Sequence, residues 1–407
     1  MKAVGLIVEY NPFHNGHLYH IEQARVKSNA DVVIAVMSGQ FLQRGEPAIV
    51  DKFTRAKMAI EHGVDLIFEL PTVFAIQHSD IFGYAAVQLL NQIGVNMIVF
   101  GSEQGDITPF KTTINEIERN KTTYNKVLKE HLHSGVSYPK ANALAIQKLS
   151  STFSMDLDQP NNILGLSYLK AQKAINPYLK METIQRKQAE YHQHQLSQPI
   201  TSATSIRAHL NELTDLNHDD LAMPKLNLSL LKAYAQKAGR FHYWEDYFPL
   251  LKYRILSDTT AQLKQIHGMN EGIEHRLKKQ IVNARNYDDF LTLVQTKRYT
   301  KTRIQRLLAH VLLHLTTLEV EREVYALKKI DTVRLLGMTE KGQAYLKRTR
   351  QTRSVNIIGQ YKKNMPDFLS IDERASNIYY MTLNQAVQNT LKQQEFAPPL
   401  KKEVEEK

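Results

Sequence analysis

Residues 9–20 read EYNPFHNGHLYH, with three histidines, two asparagines, a proline and a glycine in twelve positions. They follow KAVGLIV (2–8), an apolar run of strand type, and lead into IEQARV (21–26), which reads as a helix. Further strand-type runs follow: DVVIAVMS (31–38), DLIFEL (65–70) and NMIVFGS (96–102). Between them lie the helical patterns IVDKFTRAKMAIEHG (49–63) and DIFGYAAVQLLNQIG (80–94), the second closing on Gly94 as a helix C-cap does. Near-continuous apolar strands alternating with helices predict a parallel sheet covered on both faces, a Rossmann-like, doubly wound α/β domain. Ligands of such sheets bind beyond the carboxyl ends of the strands. EYNPFHNGH lies at such an end, and so does GSEQGD (101–106).

The histidines fit that place. His14 and His17 stand at i and i+3 at the mouth of the first helix, so their rings share a face. A helix N-terminus favours an anion through its free N–H groups and its dipole. Gly16 lets a phosphate approach the backbone, and Pro12 stiffens the entry. An HxxH pair alone also suits a metal half-site or a polar loop. Directly after an N-terminal strand it predicts phosphate chemistry with imidazoles as donors.

The 407 residues are 43% hydrophobic and 23% charged, the mix of an ordinary globular protein long enough for two domains. No apolar run approaches the ~20 residues of a membrane span, and no leader pattern precedes the first strand, so a cytoplasmic protein is expected. The absence of cysteine excludes disulfides, thiolate metal sites and a cysteine nucleophile. Residues 1–207 hold 20 Lys and Arg against 18 Asp and Glu; residues 208–407 hold 32 against 23. The second half also changes pattern. NLSLLKAYAQKAG (227–239), IEHRLKKQIVNAR (273–285) and RIQRLLAHVLLHLTTLE (303–319) carry helical periodicity, and strand signals are sparse until SVNIIG (354–359). This predicts a nucleotide-binding domain over 1–207, a mainly helical basic domain over 208–395 and a disordered tail over 396–407.

HNGH resembles the HxGH signature of the class I aminoacyl-tRNA synthetase and nucleotidyltransferase superfamily. A second element of that superfamily, S-x-T-x-[IL]-R, is matched in TSATSIR (201–207) by Ser202, Thr204 and Arg207. Taken alone, TSATSIR could be a serine-capped helix start. The segments GLIVEYNPFHNGHLYHI, VMSGQFLQRGEPAIVDKFTRAKMAI, DLIFELP, PNNILGLSYLKA, SATSIR, NEGIEHRLKKQI and YTKTRIQRLLAHVLL together resemble one bacterial family, the tRNA(Met) cytidine acetate ligases.

That resemblance implies a two-step reaction. Acetate attacks the α-phosphate of ATP, giving acetyl-adenylate and pyrophosphate. The N4 amine of the wobble cytidine of elongator tRNA(Met) then takes the acetyl group. ATP enters as a substrate, Mg2+ is expected beside it, and no protein metal cage is visible in the sequence. His14 and His17 would donate to the α-phosphate, and Arg207, Ser202 and Thr204 would hold the departing pyrophosphate. The implied nucleotide site comprises Ile7, Val8, Glu9, Tyr10, Asn11, Pro12, Phe13, His14, Asn15, Gly16, His17, Leu18, Tyr19 and His20. It also takes in Gly101, Asn161 or Asn162, Arg186 and Lys187; in RKQ (186–188) the chain departs from the family's Gly and Ala, which leaves Lys187 without a clear role.

The basic half then has a reason, since RNA phosphates need neutralising. TKRYTKTRIQR (296–306) sets Arg303 and Arg306 near Tyr299, and YLKRTRQTR (345–353) sets Lys347, Arg348 and Arg350 near Tyr345. Basic side chains beside an aromatic suit a splayed anticodon loop, though a solvated basic helix face has the same composition. No membrane and no obligate protein partner are expected. Two other readings fit the HxGH element: a small-molecule adenylyltransferase, and a non-catalytic RNA-binding protein with the same fold.

Overall fold

The computed structural model describes residues 1–149, 155–186, 202–212, 221–296, 298–362 and 365–402. Its strands are β1 (Ala3–Val8), β2 (Val32–Ser38), β3 (Leu66–Leu70), β4 (Met97–Ser102), β5 (Lys180–Gln185), β6 (Thr332–Met338), β7 (Asn356–Ile358) and β8 (Leu400–Lys401). The sheet order is β5-β4-β1-β2-β3-β6-β7, with β8 pairing β6. β1 to β5 are mutually parallel, and for β1 to β4 the apolar runs predict it: all seven residues of β2 and all five of β3 are buried. From β1 the chain steps one way to β2 and β3, then returns to β4 on the other side. Right-handed crossovers therefore put helices α1 (Asn15–Ser28) and α2 (Lys52–Glu61) on one face, and the helices Ser79–Ile93 and Pro160–Ile175 on the other. A crevice opens between the ends of β1 and β4, where the helices change face.

The second half is mainly helical, but the sheet crosses the expected boundary at residue 207. β6 runs antiparallel beside β3, pairing Leu66 with Met338 and Ile67 with Gly337. The first domain's sheet is thus completed by a strand from residues 332–338. The expected tail is corrected as well. Leu400 and Lys401 pair with Gly337 and Met338, and the Lys402 amide donates to Met338 O at 3.3 Å. The apolar Leu400 meets β6 where Gly337 leaves room for it. Residues 403–407 lie outside the described residues.

What ties the halves is charge as well as apolar packing. Lys52, wholly buried on α2, donates to both oxygens of Glu69 on β3, at 2.8 and 3.0 Å, and lies 3.0 Å from Glu395. Arg334 on β6, equally buried, pairs with Glu395 and reaches Glu69 at 3.6 Å, and its guanidinium lies 4.0 Å from the Tyr361 ring centre. Asp372 completes the cluster. Burial first, and then Glu69, push its pKa up, and its Oδ1 accepts the Thr72 amide at 2.6 Å. By its sequence FTRAKMAI reads as an amphipathic helix with a basic face for solvent or ligand; the structure overturns this, because both Lys52 and Arg55 are 0% exposed.

Removing one member of a buried ion pair leaves its partners desolvated and unpaired. Lys52→Ala should therefore lose about 3–5 kcal/mol of stability in urea denaturation; a loss below about 1 kcal/mol would mean the cluster does not carry the join. Buried imidazoles predict a pH effect. Burial lowers His242 to about 3 and His20 to about 4, from 6.5. His242 is held by the Tyr234 and Tyr247 hydroxyls at 2.7 and 2.6 Å. Below pH 6.5 the unfolded chain takes up protons that these folded groups refuse, so the urea midpoint should fall steadily from pH 6.5 towards 4. His242→Asn and His20→Asn variants should flatten that slope.

Candidate active site

The mouth of the crevice is shaped by the chain leaving β1. Tyr10 takes φ 51°, a left-handed conformation that costs a bulky residue about 1–3 kcal/mol and turns the backbone sharply after Glu9. The aromatic packing beneath holds it: Tyr10 and Phe13 are fully buried, with ring centres 4.8 Å apart. Val8, Asn11 and Pro12 are buried too, so what this part of the expected ATP loop can offer a ligand is mainly backbone. Ile7, Leu18 and Tyr19 are partly buried against the core. His20 Nε2 bonds Val99 O at 3.0 Å and so fastens α1 to β4.

His14 is the N-cap of α1, and the two site histidines hold each other through the backbone. The Gly16 amide donates to His14 Nδ1 at 3.0 Å, and the His14 amide donates to His17 Nδ1 at 3.2 Å. Each Nδ1 is thus an acceptor, so each neutral ring carries its proton on Nε2. Burial, together with the nearby Arg186 and Arg207 charges, lowers His14 to about 3; burial, His14 and Arg186 hold His17 far below its usual value. The ring centres lie 4.0 Å apart. The outcome is a pair of neutral Nε2–H donors side by side. One part of the sequence expectation changes: the helix N-terminus is not a set of free N–H groups. The Asn15 amide goes to Ala222 O at 3.0 Å, the Gly16 amide to His14, and the His17 amide to His14 O at 2.8 Å. Donation falls to the imidazoles and the dipole.

The second motif arrives where the spacing suggests. Ser202 caps the helix Ala203–Glu212, its Oγ accepting from the Ser205 amide at 3.1 Å. One turn on, Arg207 donates to Asn11 O at 2.9 Å and reaches Thr204 Oγ1 and Glu46 Oε2, each at 3.4 Å. A residue 196 positions away is thereby pinned to the His14 loop.

Across the crevice, Gly101 is the penultimate residue of β4, and a Cβ there would stand 3.2 Å from Arg186 Cγ, so the glycine lets the arginine lie over the strand end. The structure separates Asn161 from Asn162. Asn162 is 1% exposed, donating to Asp156 O and accepting the Gln104 amide, so it ties a loop. Asn161 lies between Glu103, which accepts from its side chain at 2.6 Å, and Arg186, whose guanidinium is 3.5 Å from its Oδ1. Glu103 takes the Asn162 amide at 2.9 Å as well and so caps the helix Pro160–Ile175; sequence reasoning missed it, although its place just beyond a strand end was a signal. Lys187 lies outside the described residues.

Of the basic segments, one reaches this mouth. The backbone of Gln305 and Arg306 packs against Gly45 in the loop after β2, and His310 bonds Ile76 O at 2.9 Å. This sets Arg303 and Arg306 at the carboxyl end of the sheet, beside exposed Arg44. Lys347, Arg348 and Arg350 are exposed at the opposite end: their helix is anchored by the Thr339 amide on Asp65 O and by the Tyr345 hydroxyl on Gly94 O, both ahead of β3 and β4. The two basic clusters thus stand at opposite ends of the sheet. Neither aromatic is free to stack on a base. Tyr345 is buried, and Tyr299 bonds Asn270 O while the Arg303 guanidinium covers its ring at 4.0 Å.

The family model described as HIGH Nucleotidyl Transferase matches residues 1–395. A tRNA(Met) cytidine acetate ligase of Oceanobacillus iheyensis is 42% identical over 403 residues, covering 98% of this chain and all of that one. The tRNA(Met) cytidine acetate ligase of Bacillus subtilis is 40% identical over 401 residues, 97% of this chain and 96% of that one. Among solved structures, Thermotoga maritima TmcAL bound with alpha-thio ATP superposes with a TM-score of 0.88 at 30% identity, covering 99% of this chain and 100% of that chain. Its apo form gives 0.90 at 32%, covering 98% and 99%. With the histidine pair, the capped second motif and the whole-length matches in one frame, the chain belongs to the HIGH nucleotidyl transferases and, within them, to the tRNA(Met) cytidine acetate ligase family.

Proposed function

We propose that this protein activates acetate with ATP and transfers the acetyl group to N4 of the wobble cytidine of elongator tRNA(Met). The observation that carries the first step is the pair of neutral Nε2–H donors at His14 and His17 beside the Arg207 guanidinium. Acetate is already ionised at neutral pH and needs no base to attack the α-phosphate. What the step demands is donors where charge builds on the phosphoryl oxygens, and a cation for the leaving pyrophosphate. The two imidazoles meet the first demand without bringing positive charge of their own, and Arg207, with Ser202 and Thr204, meets the second. Asn161, Arg186 and the backbone at Gly101 flank the nucleotide. Among the described residues no cluster of His, Asp or Glu is arranged to hold a metal ion. Mg2+ arriving with the triphosphate would help neutralise the charge of the leaving pyrophosphate. Among the described residues no helix is long and apolar enough to cross a membrane, and a place in the cytoplasm beside its tRNA substrate is part of the proposal.

For the second step the tRNA must present one base at the same mouth. Arg44, Arg303 and Arg306 stand there, and each phosphate contact adds to the salt dependence of binding. The target cytidine leaves its stack to reach the adenylate.

His17→Ala should lower acetate-dependent ATP–pyrophosphate exchange by about 10²–10³-fold while tRNA affinity stays near that of the parent. Exchange within twofold of the parent would remove the donor role. Replacing Arg303 and Arg306 together with Gln should weaken tRNA binding and reduce the slope of log affinity against log salt by about 1–2. The triple replacement of Lys347, Arg348 and Arg350 should change acetyl transfer less than that pair does. The reverse order would place the RNA at the other end of the sheet.

A further inference from the structure

We infer that Glu9 is the general base of acetyl transfer, taking the proton that the cytidine N4 amine loses as it becomes an amide; the inference rests on the acetate ligase reading. The exocyclic amine of cytosine is a weak nucleophile because its lone pair is delocalised into the ring. As N4 bonds to the acetyl carbonyl carbon, the nitrogen becomes acidic and its proton needs an acceptor. The carbon–oxygen bond to the adenylate breaks, its electron pair leaves with AMP, and the proton passes to the base and from there to water.

Neither site histidine fits that task. Both Nδ1 atoms are occupied by backbone N–H groups, both Nε2 atoms carry hydrogen, and both rings resist a second proton. The acceptor must be sought among the carboxylates at the mouth, and most are engaged. Glu46 is bound to Arg207 and Gln305, and Glu103 caps a helix. Asp80 accepts from Lys170, Ser167 and Tyr138, and Asp51 caps α2. Glu9 differs. Its Oε1 takes the Gln43 amide at 2.7 Å, while its Oε2 has no hydrogen-bond partner among the described residues.

The carboxylate is also rigidly placed. The Glu9 carbonyl is held by Arg55 at 2.7 Å, and Gln43 is itself fastened to Gln77 O at 2.8 Å. Tyr10 turns the chain immediately beyond, and the Arg207 charge acts on both Glu9 and His14. The groups facing Glu9 are Arg44, Glu46, Arg207 and, from the opposite helix, Tyr168. Burial raises its pKa, and the Gln43 amide and the two arginines oppose that. Such a carboxylate is more basic than one in water, which favours it as a proton acceptor.

Two half-reactions separate this role from others. Glu9→Gln keeps an oxygen for the Gln43 amide. We expect the ratio of single-turnover acetyl transfer to acetate-dependent ATP–pyrophosphate exchange to fall about 10²–10⁴-fold in that variant. Glu9→Asp, which keeps the carboxylate, should recover part of the transfer rate. A Glu9→Gln enzyme with the parent ratio, or one that loses exchange and transfer in equal measure, overturns the base role. A parent enzyme with no acetate-dependent exchange overturns the acetate ligase reading itself and the inference with it.

Discussion

One guanidinium sets the shape of the mouth. Arg55, fully buried, donates to the carbonyls of Glu9, Ser38, Gly39 and Val50, the points where β1 and β2 end and where the chain re-enters α2. Strand ends carry carbonyls with no partner in the ladder, and a buried C=O must find a donor. A single side chain with five N–H groups answers several of them at once and fixes the two strand ends relative to one another. From there the rest follows: the sharp turn at Tyr10, the loop bearing Gln43 and Glu46, and the histidines capping α1. Burial lowers the Arg55 pKa, and the charge survives because nearby Asp51, Glu9 and Glu69 favour it.

The same economy appears at the histidines. A capping arrangement usually uses a hydroxyl or carboxylate to satisfy helix N–H groups. Here two imidazoles do it, and in doing so they fix their own tautomers. The cap and the donor pair are one arrangement, so local folding and the chemistry cannot be separated at this point. Arg207 adds the long-range element. By bonding Asn11 O it makes assembly of the site conditional on the chain between residues 11 and 207 being folded.

Much of this was legible in the sequence. Parallel strands buried on both faces must be apolar throughout, which marked β1 to β4, and the strand-to-helix passage after β1 marked HNGH. The pairing of HNGH with TSATSIR was readable as a motif, and the structure joins the two segments through Arg207 on Asn11 O, in the loop just ahead of HNGH. Four things were hidden. β6 escaped because Arg334 interrupts an apolar run, and only the fold supplies the buried Glu69 and Glu395 that make an arginine tolerable there. Lys52 and Arg55 read as a solvated face because charge in a helix normally means solvent. Tyr299 and Tyr345 looked like stacking platforms because sequence proximity to arginine does not say which way a ring points. The choice between Asn161 and Asn162 also required coordinates, as neighbouring helix positions differ by about 100° in direction.

The central claim is tested most directly by incubating the protein with ATP, Mg2+, isotope-labelled acetate and unmodified elongator tRNA(Met), then analysing the nucleosides by mass spectrometry. The account predicts labelled N4-acetylcytidine at the wobble position, formed only when both ATP and acetate are present. Unlabelled or unmodified cytidine, with ATP consumed or not, would contradict it.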